Sequence, residues 1–173
     1  MTVVWLPRCC ERFRPHSFIY FAINPLGAAG GVQVTASHNP RGDNGIKVYS
    51  EGGLQIVAPW DDEIAQAMQE VASATVHESD AATHASIIDV TQEIHRAYHE
   101  ALHARRPQSD AHQKVTIAYT ACYGVGAAPF REACNAAGFT QVHFHPEECR
   151  IDGHFPGMPA PNPENPQIGR AHV

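Results

Sequence analysis

Residues 114–144 read KVTIAYTACYGVGAAPFREACNAAGFTQVHF. Val115 to Tyr119 predicts a strand, Thr120 to Gly126 a glycine-containing loop, and Pro129 to Ala137 a helix that Gly138 closes at its C-terminal side. Phe139 to Phe144 predicts a second strand. Strand, helix and strand in this order make a βαβ unit, and hence a parallel pair and an α/β protein.

Upstream the grammar differs. Val32 to Thr35 predicts a short buried strand that enters the polar loop Ser37-His38-Asn39-Pro40, and Arg41-Gly42-Asp43-Asn44-Gly45 is turn chemistry. Ile46 to Tyr49 and Leu54 to Val57 predict two strands of a hairpin joined through Gly52-Gly53. Asp61 is an expected N-cap for a helix with Ile64, Met68 and Val71 on one face. Ser73 to Ser86 reads as a loop, and a second helix from about Asp89 carries Ile94, Tyr98 and Leu102 on one face until Pro107 stops it. The expected architecture is a mixed sheet with flanking helices, then the βαβ unit opening a second domain. Residues 1–25 stay unassigned, 26–110 form the first unit and 111–173 the second, with the cut near Gln108 to Gln113. The prolines at 159, 161, 163 and 166 exclude long regular structure in the tail.

Composition narrows the function. Of 173 residues, 12 are Lys or Arg and 18 Asp or Glu, for a formal charge of −6. That balance argues against nucleic acid as the main partner, because phosphate backbones reward a basic face. No window approaches the ~18 consecutive apolar residues of a membrane span. Arg8, Arg12 and Arg14 precede a short apolar run, Phe18 to Ile23, but the run is too short for a signal peptide and Glu11 interrupts the basic part. Five cysteines, Cys9 and Cys10 adjacent and none in a CxxC spacing, form neither a disulfide framework nor a zinc knuckle. Reduced thiols and a cytoplasmic setting are expected.

The chemistry concentrates in Thr35-Ala36-Ser37-His38-Asn39-Pro40, which places a hydroxyl at the mouth of a strand beside an imidazole and an amide. Such a hydroxyl can act as a nucleophile or carry a phosphoryl group, and Lys47, on the next strand, can supply a cation or move a proton. The same residues also fit a plain Asx or Ser turn joining two strands.

T-A-S-H-N-P followed by D-N-G-I-K-V-Y resembles the active-site segment of the α-D-phosphohexomutases, the phosphoglucomutase/phosphomannomutase superfamily. E-G-G-L-Q-I and P-W-D-D-E-I are similar to that family's following hairpin and helix; K-V-T-I-A-Y-T-A-C-Y-G-V-G and A-A-G-F-T-Q-V are similar to the start of its second domain. D-G-H-F-P-G-M-P-A-P-N-P-E-N-P resembles the linker before its metal loop, so the likeness runs from about Leu26 to Pro166. It implies a phosphotransferase of the isomerase class that moves a phosphoryl group between C1 and C6 of a hexose phosphate in carbohydrate metabolism. Phospho-Ser37 would donate to the sugar, a sugar 1,6-bisphosphate would turn over in the site, and its other phosphate would return to the serine. The resemblance gives Ser37, His38 and Lys47 catalytic roles, Asn39 and Asn44 phosphate or substrate contacts, and an oxygen of phospho-Ser37 to Mg²⁺.

The family's four-domain plan implies that this chain is a fragment. It would hold the later part of the first domain and the opening of the second, truncated before the D-x-D-x-D-R metal loop, without the third-domain sugar loop or the fourth-domain phosphate loop. The expected partners are a sugar phosphate and the missing domains. Tyr123 stands where the family commonly has a histidine. A phosphopentomutase, a phosphatase-like half site and an inactive or merely binding remnant are the other readings. Half a domain should also leave open sheet edges and bare apolar faces, with aggregation or partial disorder expected.

Weaker signals remain. His95, His99 and His103 recur every four residues on one helix face, where a pair can ligate zinc, although no H-E-x-x-H accompanies them and a solvated helix surface is the plainer reading. Similarly, His143 and His145 share a strand face near Glu147 and Cys149, but a strand end passing into a loop accounts for them. The Gly124-x-Gly126 loop lacks the third glycine and the acidic residue of a dinucleotide site.

Overall fold

In the computed structural model, which describes residues 3–5, 15–71, 91–106, 113–158 and 162, the first half is organised by a helix that the sequence reading left unassigned. This helix, α1 (Ser17–Ile23), follows strand β1 (Val3–Trp5) and precedes β2 (Gly30–Val34). Phe18, Ile19, Ala22 and Ile23 lie one and four residues apart, so they share one helical face, and all four are buried. The helix can lie close to the sheet because Gly31 has no side chain. A methyl there would stand 2.9 Å from Ile23 Cδ1 and 3.0 Å from Ile19 Cγ2. Gly27, at φ +56, ends the helix, and Ala28 N–H returns to the Ile23 carbonyl at 2.9 Å.

β1 and β2 are parallel, in the register Val3 to Gly30; β2 and β3 (Ile46–Ser50) are antiparallel, from Gly30 opposite Ser50 to Val34 opposite Ile46. The sheet is therefore mixed, as expected. The predicted second strand of the hairpin is corrected. After a 3₁₀ turn over Glu51–Gly53, Leu54 to Val57 makes only one bridge, Tyr49 to Gln55, flanked by Ser50 N–H to Leu54 O and Ile56 N–H to Val48 O at 2.8 and 3.1 Å. Gly52 and Gly53 both take positive φ (85° and 83°), which curls the chain away from a straight ladder. Pro59 then offers no N–H to extend the pairing.

Helix α2 (Trp60–Glu70) begins one residue before the predicted cap, so Asp61 lies in the first turn with Asp62 and Glu63, where carboxylates complement the helix dipole. Its apolar face, Trp60, Ile64, Met68 and then Val71, is exposed. Helix α3 (Thr91–Ala104) sends Ile94 into the α1 core and packs Tyr98 on Phe18 and Phe21, with centroids 4.3 and 5.2 Å apart; Leu102 remains exposed. The loop predicted for Ser73 to Ser86, the domain cut (apart from Gln113) and the proline-rich tail from Pro159 onward (apart from Asn162) lie outside the described residues.

The βαβ unit forms as read. β4 (Thr116–Tyr119) pairs in parallel with β5 (Gln141–Phe144) across α4 (Ala127–Ala137). Gly138, at φ 82°, closes α4 with its N–H on the Asn135 carbonyl. Tyr119 stacks on Phe130 at 4.0 Å, and the Arg131 guanidinium lies 3.7 Å above the Phe144 ring. The two halves meet through α3 and α4, where Arg106 Nη1 donates to the last-turn carbonyl of Ala137 at 3.0 Å.

Candidate active site

The loop after β2 is closed at its base. Thr35 N–H donates to the Gly45 carbonyl at 2.9 Å, and a methyl on Gly45 would stand 2.9 Å from the Thr35 carbonyl oxygen. Within the loop, Ser37 N–H donates to Thr35 Oγ1 at 3.0 Å, an ST turn that pins the serine backbone at φ +56. Few non-glycine residues occupy this region, and its strain persists only where neighbouring bonds enforce it. The result is an exposed hydroxyl with His38 Nδ1 3.3 Å from Ser37 Oγ.

Asn39 and Asn44 belong to the same loop, whereas Lys47 stands on the adjoining strand β3. Asn39 N–H donates to the Ala36 carbonyl at 3.0 Å, and its amide side chain is exposed. Asn44 Oδ1 accepts the Gly45 N–H at 2.9 Å, so its carbonyl shapes the turn. Lys47 lies opposite Gln33 in the β2–β3 ladder, on the sheet face shared with buried Tyr49. Its charge acts on His16 at the start of α1; burial first, and Lys47 second, hold that imidazole below its ordinary value. The geometry thus joins Ser37 to His38, Asn39 and Asn44 in one loop, and puts Lys47 near His16 and Gln33.

One contributor to the loop was not singled out from sequence. Thr35 is visible in retrospect, since a Thr two residues before a serine is an ST-turn signal. Arg41, in the same loop, lines an open groove of about 530 Å³ with His154, Phe155, Pro156, Gly157 and Met158, residues distant in the chain. Tyr123 has a structural place of its own. Its N–H donates to Glu148 O at 2.7 Å and its carbonyl accepts from Asp152 N–H at 3.1 Å, tying the β4–α4 loop to the segment that ends at this groove.

The histidines sort differently from their sequence spacing. His145 Nδ1 accepts the Glu148 N–H at 3.2 Å, a turn cap, and no metal-type cluster includes His143, Glu147 or Cys149 among the described residues. His95 and His99 instead converge on Glu132 of α4, without His103. Cys122, Cys134 and Cys149 are free thiols, and burial pushes the Cys134 thiol up. No helix among the described residues is long and apolar enough to cross a membrane.

A parallel βαβ unit beside a mixed sheet with a serine-bearing loop at its strand end defines an α/β protein. Two family models cover most of the chain: the phosphoglucomutase/phosphomannomutase α/β/α domain I over residues 7–75, which takes in α1, and domain II over residues 96–171. The chain belongs to the phosphoglucomutase/phosphomannomutase family, the α-D-phosphohexomutase superfamily. It is similar to a protein assigned as a phosphomannomutase in Haemophilus influenzae, 36% identical over 155 residues, 87% of this chain and 31% of that protein. It is also similar to the human phosphopentomutase, at 32% identity over 87% of this chain and 25% of that one. Human glucose 1,6-bisphosphate synthase matches at 34% over 89% of this chain and 26% of its own length. A solved structure from Thermus thermophilus, assigned as a phosphomannomutase, superposes with a TM-score of 0.61 and 26% identity, covering 91% of this chain and 34% of that one. The chain spans about a third or less of the length of these relatives.

Proposed function

We propose that this chain carries the phosphoserine part of a sugar-phosphate mutase active site, with Ser37 as the group that holds the transferable phosphoryl. The observation that supports it best is the exposed Ser37 hydroxyl, 3.3 Å from His38 Nδ1 on a backbone at φ +56. Strained backbone of this kind clusters where it positions a group for chemistry. The relatives' names share one reaction type, phosphoryl transfer on a hexose or pentose phosphate.

In this reading a hydroxyl of the sugar monophosphate attacks the phosphorus of phospho-Ser37. The phosphorus–Oγ bond breaks, Ser37 Oγ regains a proton, and a sugar bisphosphate results. After the bisphosphate reorients, Ser37 Oγ attacks its other phosphate and the isomeric monophosphate leaves. The work is positioning and charge stabilisation. His38, by hydrogen bonding, and Asn39 and Asn44, by their amide groups, orient the phosphate; Lys47 assists proton transfer. A sugar 1,6-bisphosphate serves as activator and phosphoryl source. The partners are a small sugar phosphate and the remaining domains of the full enzyme, in the cytoplasm, with no nucleic acid or membrane surface.

Magnesium would meet a hard phosphate oxygen on phospho-Ser37. The other polar side chains of the loop are an imidazole, two amides, the Arg41 guanidinium and the single carboxylate of Asp43. Asp43 is the one anionic side chain among them, so beside the phosphate oxygen the loop offers magnesium a single charged ligand, with water to fill the remaining positions.

The test is incubation of the purified chain with glucose 1,6-bisphosphate labelled in its phosphates, followed by peptide mapping. One label per chain on Ser37, absent from Ser37→Ala, is the expected result. Label elsewhere, or none on folded chain, would sink the assignment. Assaying isomerisation of glucose 1-phosphate beside hydrolysis of the bisphosphate separates a working mutase from a leaky half site and from an inert fragment.

A further inference from the structure

We propose that His95, His99 and Glu132 form a transition-metal site, of the kind zinc occupies, that fastens α3 to α4. His95 and His99 are one helical turn apart on α3, and Glu132 comes from α4, so the site exists only once the two helices pack. One ligand atom from each residue lies within 4.8 Å of the other two. Glu132 Oε2 is central, 2.6 Å from His95 Nε2 and 3.5 Å from His99 Nε2. Zinc bonds of about 2.0–2.2 Å in a tetrahedron hold their ligand atoms roughly 3.3–3.5 Å apart. The His99–Glu132 separation already has that value. The His95–Glu132 hydrogen bond must open by roughly 0.8 Å to reach it, which the half-exposed Glu132 side chain permits by a small rotation.

The surroundings favour ligation. His95 stacks at 17° on Phe18 with centroids 5.9 Å apart, and Tyr98 meets His99 edge-on at 6.1 Å, so aromatic walls hold both imidazoles in place. Arg131, next to Glu132 in sequence, is turned away onto Phe144 and does not compete for the carboxylate. Two imidazoles and one carboxylate make a three-ligand set with a fourth position for water. Nitrogen donors suit zinc, cobalt or nickel over magnesium, which separates this centre from any ion at phospho-Ser37.

The experiment uses the whole 173-residue chain, stripped of metal, with Co²⁺ as the optical probe and Zn²⁺ as competitor. One Co²⁺ per chain with a visible ligand-field band is expected, displaced by Zn²⁺ and unmoved by excess Mg²⁺. His99→Ala and Glu132→Gln should each weaken binding at least tenfold, whereas His103→Ala, a histidine on the same helix outside the cluster, should not. Glu132→Gln retains a hydrogen-bonding partner for His95 and so guards against a loss caused by unfolding. Zn²⁺ at a 100-fold excess over its Kd should raise the melting temperature by about 5 °C or more in the parent and not in Glu132→Gln. No stoichiometric binding, displacement by Mg²⁺, or equal loss in His103→Ala would each overturn the assignment.

Discussion

Thr35 and Gly45 clasp the base of the serine loop: the Thr35 N–H bonds the Gly45 carbonyl at 2.9 Å, and the Thr35 carbonyl lies where any side chain on Gly45 would have to go. Gly45→Ala puts a methyl 2.9 Å from a backbone oxygen that cannot rotate aside. The expected cost is about 1–3 kcal/mol, read as a lower urea midpoint. Labelling of Ser37 should slow as well, because the clasp sets where the hydroxyl stands.

Ser37 offers a cleaner separation of backbone from chemistry. At φ +56 a Cβ is a burden that glycine does not carry. Ser37→Gly should therefore be more stable than Ser37→Ala by about 1 kcal/mol, while neither takes up phosphoryl. Equal stability of the two variants in denaturant titrations would show that the left-handed backbone is not retained in solution.

Ile19 is fully buried between α1 and the sheet, whereas Met68 on α2 is more than half exposed. Ile19→Ala should cost about 2–5 kcal/mol, a large share of any small domain's stability. Met68→Ala should stay within about 0.5 kcal/mol. Urea unfolding of the two variants checks both. A large loss at Met68 would mean that the α2 face is covered in solution.

His16 predicts an acid-side slope. Burial and the charge of Lys47 lower its proton affinity in the folded chain below the ordinary 6.5. The unfolded chain then binds the proton more readily, so stability is complete above that value and falls as pH drops below it, levelling once the folded imidazole also protonates. His16→Asn should flatten this part of the profile of melting temperature against pH. An unchanged slope would assign the acid sensitivity to another group.

Elements whose signals are local can be read from the residues alone. The βαβ unit follows from two apolar runs, a helix of the right length and Gly138, and the structure puts α4 and its glycine cap where that pattern asked. That Ser37, His38, Asn39 and Asn44 share one exposed loop was legible, because a short polar stretch beside a strand end keeps its members together whatever packs around it. Packing between distant segments set the rest. Six apolar residues from Phe18 to Ile23 are too few to announce a helix, and they became the centre of the first half only because Gly31 lets them approach the sheet. Leu54 to Val57 has strand composition, yet pairing needs a ladder, and two left-handed glycines turn the chain before one can form. The spacing of His95, His99 and His103 offered three histidines; packing kept two and added Glu132, a partner 37 residues from His95. Contacts of that range depend on how helices dock, and docking is set by buried surfaces that no short window of sequence contains.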